Sequence, residues 1–135
     1  MTKEPCVYFE GEFSQGAEWL AHSVSDQLRQ KFGASKIVRR WFIPRWVIEV
    51  EIGGTTFVLF LLSRQRNKWR LILLLPSKAY FVRWGRNKEN GVSGLQAIAH
   101  DVHMLLSKMP GLSGLRWYLE GSESSVSTPE ELSWT

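Results

Sequence analysis

WVIEVEIGGTTFVLFLL, residues 46–62, predicts two antiparallel strands joined by a tight turn. Apolar and other side chains alternate in its first seven residues, which is typical of a strand with one buried face. Gly53-Gly54 supplies the positive φ values that a two-residue hairpin requires. The turn sets a register in which the large apolar residues of both strands share one face. That register pairs Ile52 with Thr55, Val50 with Phe57, Ile48 with Leu59, and Trp46 with Leu61.

The chain before this hairpin predicts one strand and one helix. Cys6–Phe13 is rich in aromatic and β-branched residues, which favour a strand. Ser14 is a suitable N-cap for a helix that continues to about Phe32, and Gly33 is a suitable residue to end it.

The chain after the hairpin predicts two strands, a loop, a second helix and a last strand. The helix is indicated by apolar residues at helical spacing, and Pro110-Gly111 would end it. The predicted elements are the strand Lys68–Leu75, a turn at Pro76-Ser77, the strand Lys78–Trp84, the loop Gly85–Gly94, the helix from Ser93 to about Lys108, and the strand Leu112–Leu119.

These elements predict an α+β fold in a single domain, residues 1–120, with the order β-α-β-β-β-β-α-β. The sheet is expected to be largely antiparallel, with about four to six strands and two main helices. Residues 121–135 are rich in Ser and Glu and predict a C-terminal tail, in which 129–134 could form one short helical turn. A chain of 135 residues that is 44% hydrophobic can bury a core without disulfides.

The composition indicates a cytoplasmic protein that does not insert into membranes. The single cysteine, Cys6, has no partner for an internal disulfide, and we expect it to be buried and unreactive. The N-terminus lacks the apolar run of a signal peptide. The longest apolar runs, Phe57–Leu62 and Leu71–Leu75, are too short to span a bilayer.

The charges of the chain are strongly segregated, although the net charge is only +4. The stretch 28–88 holds fourteen Lys and Arg but only two acids, so that it carries +12, whereas 1–27 and 89–135 each carry −4. Ten of the seventeen aromatic residues also lie in 28–88. Basic residues interleaved with aromatic ones are typical of a surface that binds an anionic partner.

The predicted turns bring the scattered basic residues to one end of the sheet, which we call the basic pole. The hairpin places Arg45 near Leu62, and a turn at Pro76-Ser77 would place Arg83 opposite Arg70. Trp41, Phe42 and Trp84 lie closest in sequence and could stack on bases, whereas Trp46 and Trp69 follow the core pattern. The ten predicted cations are Arg39, Arg40, Arg45, Arg64, Arg66, Lys68, Arg70, Arg83, Arg86 and Lys88.

Three interpretations of the basic pole remain open at this stage. It could bind an anionic partner, it could be a solvated edge that protects the sheet from aggregation, or it could be neutralised by the acidic tail. Val47, Val58 and Phe60 share the second face of the sheet with Glu49 and Glu51. We expect another element or a second copy of the chain to cover that mixed face.

No set of residues predicts catalysis, a metal or a cofactor. His100 and His103 have a chelating spacing on the second helix, but no further ligand completes a site with them or with His22. Glu49 and Glu51 lie on one strand, and Phe57–Leu62 contains no acid, so paired-carboxylate nuclease chemistry is disfavoured. The sequence therefore predicts a non-enzymatic binding protein whose partner is nucleic acid, with an accessory protein that recognises an acidic protein surface as the alternative.

Overall fold

The computed structural model describes residues 4–13, 16–41, 46–65, 67–74, 88–122 and 124–132. They form one antiparallel sheet of six strands, two helices and a short 3-10 turn, and this confirms the predicted fold class and element order. The elements are β1 (Pro5–Glu10), α1 (Gly16–Phe32), β2 (Ser35–Arg39), β3 (Trp46–Ile52), β4 (Thr55–Gln65), β5 (Lys68–Leu74), α2 (Lys88–Ser107), β6 (Ser113–Leu119) and the 3-10 turn Pro129–Glu131.

The hairpin that opened the sequence analysis has the predicted register at every predicted pair, from Ile52↔Thr55 to Trp46↔Leu61. Gly53 and Gly54 adopt φ values of 58° and 80°, which residues with a Cβ rarely adopt. The strand order in the sheet is β2-β3-β4-β5-β1-β6, so that β1 lies between β5 and β6.

Both helices contribute to a core on one face of the sheet. The buried residues of α1 and α2 form a single cluster with the alternate apolar residues of the strands. Several large side chains in this cluster are fully buried, among them Phe9, Phe57, Leu59 and Trp117. Burial of these side chains supplies the main stabilising free energy of such a fold, at about 1.5–3 kcal/mol for each.

The structure contains one strand that was not predicted. The strand β2 was not predicted, because five residues with two cations, Ser35–Arg39, give a weak strand pattern. The predicted strand Lys78–Trp84 and the turn Pro76-Ser77 lie outside the described residues.

The predicted loop Gly85–Gly94 is wrong from residue 88 onward, since α2 begins at Lys88. Glycines at 91 and 94 lower the helix propensity of this segment, and for that reason the sequence favoured a loop. Tertiary packing overrides the propensity. A Cβ added at Gly94 would come within 3.0 Å of three ring carbons of Phe57, so this part of the helix lies directly on the buried ring.

The described part of the C-terminal segment packs against β6 and α2. Val126 exchanges two backbone hydrogen bonds of 2.8 Å with Trp117 and so extends the edge of the sheet by one bridge. Pro129 is buried, and the 3-10 turn lies against α2. Among the described residues, no helix is both long enough and apolar enough to cross a membrane.

Candidate functional site

One end of the sheet holds the described residues of the basic pole. β2 ends there with Arg39, which pairs with Trp46 at the start of β3. The turn between β4 and β5 lies at the same end and pairs Gln65 with Lys68. This turn is held to the end of β1, because the backbone N–H of Gly11 donates to the carbonyl of Asn67 at 2.9 Å.

Arg39, Arg40 and Trp41 form the β2 side of this end. The Arg39 guanidinium lies 5.6 Å from the centroid of the Trp46 ring, and the Arg40 guanidinium lies 5.8 Å from that of Phe60. Contacts of this kind restrict the two long side chains and leave their charge in place. Trp41 follows directly and is 88% exposed, the largest exposure of any large apolar side chain among the described residues.

Lys68 and Arg70 lie on β5, and the residues beside them differ from those predicted. Arg70 lies opposite Leu62 on β4 and Tyr8 on β1. Both neighbouring positions are therefore filled, and the predicted pairing of Arg70 with Arg83 is wrong. β1 also brings an acid into the basic pole, since Glu10 lies opposite Lys68.

Arg70 is held in a polar cluster on the sheet face that the helices do not cover. Its guanidinium lies 3.7 Å from the carboxylate of Glu120, and it shares a hydrogen bond with Tyr118. Partial burial lowers the pKa of Arg70, but Tyr118 and Glu120 raise it by more, so that the side chain stays charged. The charge of Arg70 is thus partly compensated within the chain.

Cys6 belongs to the same cluster. Its thiol is fully buried and donates to Glu120 Oε2 at 3.2 Å. Burial, reinforced by Glu120, raises the pKa of the Cys6 thiol far above its ordinary value. The thiol therefore stays protonated at neutral pH, and thiolate chemistry is disfavoured at this position.

Arg116 is a basic residue of this surface that the sequence analysis missed. It lies on β6, opposite Tyr8, and its guanidinium lies 4.3 Å from the centroid of the Tyr8 ring. The sequence assigned Arg116 to the acidic C-terminal part of the chain. Only the pairing of β1 with β6, which links residues more than a hundred positions apart, brings Arg116 near Arg70, with Tyr8 between them.

Eight of the thirteen predicted pole residues have no described side chain. Arg64 lies in β4, and Lys88 is the first residue of α2. The other six lie outside the described residues: Arg45, Arg66, Arg83, Arg86, Phe42 and Trp84. The described part of the site therefore consists of Arg39, Arg40, Trp41, Lys68 and Arg70, with Arg116 added.

The second sheet face has little apolar area to offer to another copy of the chain at its centre. Val47 and Val58, which the sequence places on this face, are only 5% and 3% exposed, although neither belongs to the helix-packed core cluster. Phe60, beside them, is half-buried and lies under Arg40.

The two histidines of α2 serve structural contacts. His100 Nδ1 lies 2.6 Å from Glu130 of the 3-10 turn. His103 Nδ1 accepts a hydrogen bond of 2.9 Å from the indole N–H of the buried Trp117. Within the described ranges, no three His, Cys, Asp or Glu side chains are grouped so that they could hold a metal ion.

The described acidic residues of the C-terminal tail contact residues other than the cations of the basic pole. Glu130 contacts His100, and Glu131 accepts a hydrogen bond from Thr128 at 3.1 Å. Compensation of the pole comes instead from Glu120, directly after β6, whose carboxylate lies 3.7 Å from Arg70, while Glu10 on β1 lies opposite Lys68.

Comparison with protein-family models, with curated proteins and with solved structures finds no match to this chain. Its own residues therefore carry any inference about function.

Proposed function

We propose that this protein binds nucleic acid through the basic pole and catalyses no reaction. The main supporting observation is that Arg39, Arg40, Lys68 and Arg70, which come from distant parts of the sequence, lie at one end of the sheet. The exposed Trp41 lies at the same end, directly after Arg40. A cluster of cations attracts the phosphate backbone and releases its counterions.

The arginine side chains are restricted by aromatic contacts, and this supports an anion-binding surface over a merely solvated sheet edge. A lysine or arginine that only solubilises a sheet edge needs no fixed position. Here Arg39 and Arg40 lie over aromatic rings, and Arg116 lies over Tyr8. Side chains that are already restricted lose less conformational entropy when they bind a phosphate.

The test is the salt dependence of binding to labelled nucleic acid, measured by fluorescence anisotropy between about 50 and 200 mM salt. We expect binding to weaken steeply as salt rises. The variant R39Q/K68Q removes two exposed cations of the pole. Its slope of log K against log salt should be smaller by about 1.4–1.8, since each phosphate contact contributes about 0.7–0.9.

The matched control is K31Q/K36Q, which lowers the net charge by the same amount. Lys31 lies in the last turn of α1 and Lys36 near the start of β2, toward the other end of the sheet. Equal losses in the two double variants would place binding outside the pole. A wild-type protein that binds neither single-stranded nor double-stranded nucleic acid at low salt would refute the proposal and favour an acidic protein surface as the partner.

A further inference from the structure

Trp41 combines high exposure with a position directly after two cations. Arg39 ends β2, Arg40 and Trp41 follow it, and 88% of the Trp41 surface is exposed. The next most exposed large apolar side chain among the described residues is Met104, at 39%. Large aromatic residues are usually buried, so an indole in water beside two arginines indicates a binding surface.

The other described aromatic rings near the pole are covered by the chain to a greater extent than Trp41. Trp46 lies under Arg39, Phe60 under Arg40, and Tyr8 under Arg116. Trp69 is 6% exposed, and its indole N–H donates to the carbonyl of Gly11 at 2.9 Å. Among the described rings of the pole, Trp41 therefore offers a ligand the largest accessible surface.

We propose that the partner is a single-stranded nucleic acid and that one of its bases stacks on Trp41, an inference that rests on the proposed function. Arg39 and Arg40 are held on opposite faces of the sheet, since Trp46 belongs to the helix-covered face and Phe60 to the other. The two guanidinium groups can then hold backbone phosphates on either side of the stacked base.

Stacking distinguishes a single strand from a duplex. Every base in a duplex has its faces covered by its neighbours, so an aromatic side chain reaches a face only after the base is flipped out. In a single strand the faces are accessible, and base–aromatic stacking tolerates any sequence. The arginines alone would attract both forms, whereas Trp41 favours the single strand.

The test compares a labelled oligothymidylate with a duplex of the same length, by anisotropy at constant salt. We expect W41A to bind the single strand roughly 5- to 150-fold more weakly, which is the range for one stacked base. Binding to the duplex and the salt slope should not change, because no phosphate contact is removed. M104A serves as the control, since Met104 is an exposed apolar residue on α2.

A second readout does not depend on the alanine variant. Single-strand binding should quench the tryptophan fluorescence of the wild-type protein, and W41F should lose that quenching while it keeps most of the affinity, because phenylalanine retains an aromatic face. Thermal unfolding of each variant checks that the fold is intact.

The outcomes separate this inference from the proposed function. If salt-dependent binding is present but W41A binds the single strand as the wild type does, or loses both ligands equally, stacking on Trp41 is refuted and the phosphate-binding pole stands. If the wild-type protein binds neither ligand at low salt, both proposals fail. Stronger binding to the duplex than to the single strand would also overturn the inference.

Discussion

The close contact between Gly94 and Phe57 predicts that G94A destabilises the protein, although alanine is the better helix former. A Cβ at this position would meet ring carbons of Phe57 inside 3.0 Å, whereas ordinary contacts lie at 3.4–4 Å. Phe57 is 1% exposed and packed in the core, so the ring has little room to move. The helix or the ring must therefore shift.

Two opposing effects determine how much G94A changes the free energy of unfolding. Overpacking of a core costs about 1–3 kcal/mol, and replacing glycine by alanine within a helix recovers about 1 kcal/mol. We expect the free energy of unfolding to fall by about 1 kcal/mol, with an upper bound of about 2 kcal/mol. For a domain of this size, a loss of 1 kcal/mol lowers the Tm by roughly 3–5 °C.

Urea denaturation followed by circular dichroism measures this difference. S93A is the matched control, because Ser93 directly precedes Gly94 in α2 but is exposed. This variant should change the free energy of unfolding by less than about 0.5 kcal/mol. In an F57L background the distal ring carbons are absent, so G94A should no longer be destabilising. An increase in stability of about 1 kcal/mol for G94A in the wild-type background would refute the close packing and, with it, the position of the first turns of α2.

Two further predictions concern protonation and compensation. Burial, with a smaller effect of His100, lowers the pKa of His103. Neutral His103 therefore contributes fully to stability above the unfolded pKa near 6.5, and this contribution is lost as the pH falls through the lowered pKa. H103Q, which keeps an acceptor for the Trp117 N–H, should therefore flatten the loss of Tm between pH 7 and pH 5; an unchanged pH profile would contradict this assignment. E120Q removes the carboxylate that compensates Arg70 and should increase the salt slope of nucleic-acid binding by up to about 0.9, which anisotropy titrations measure; an unchanged slope would show that Arg70 does not contact the ligand.

The local part of the fold could be predicted from the sequence, because its signals lie close together along the chain. The alternation in 46–52 and the two glycines after it determine the β3–β4 register without reference to any other element. The helix α1 likewise ends at Phe32, directly before Gly33, whose φ is 93°. Each of these features depends on residues fewer than twenty positions apart.

The order of the strands could not be predicted, because β1 pairs with β5 and β6 through contacts that are distant in sequence. A sequence pattern shows which face of a strand is apolar but not which strand lies beside it. For this reason the sequence analysis placed Arg83 beside Arg70, where the structure has Tyr8. The start of α2 was missed for a related reason. Gly94 is accommodated in the helix because a larger residue would collide with Phe57, which is distant in sequence, and a local sequence pattern does not reveal that contact.

The position of β1 also makes the electrostatic potential of the basic pole uneven, which a count of cations does not reveal. Glu10 and Glu120, the acids that the structure places beside the pole, lie on the β1 and β6 side, next to Lys68 and Arg70. Arg39, Arg40 and Trp41 lie on the β2 side, and three strands (β3, β4 and β5) separate β2 from β1. Because screening by salt limits such interactions to about 8–10 Å, the acids weaken the potential over β1 and β6 far more than over β2. A polyanion should therefore approach the β2 side first, where the exposed ring of Trp41 lies.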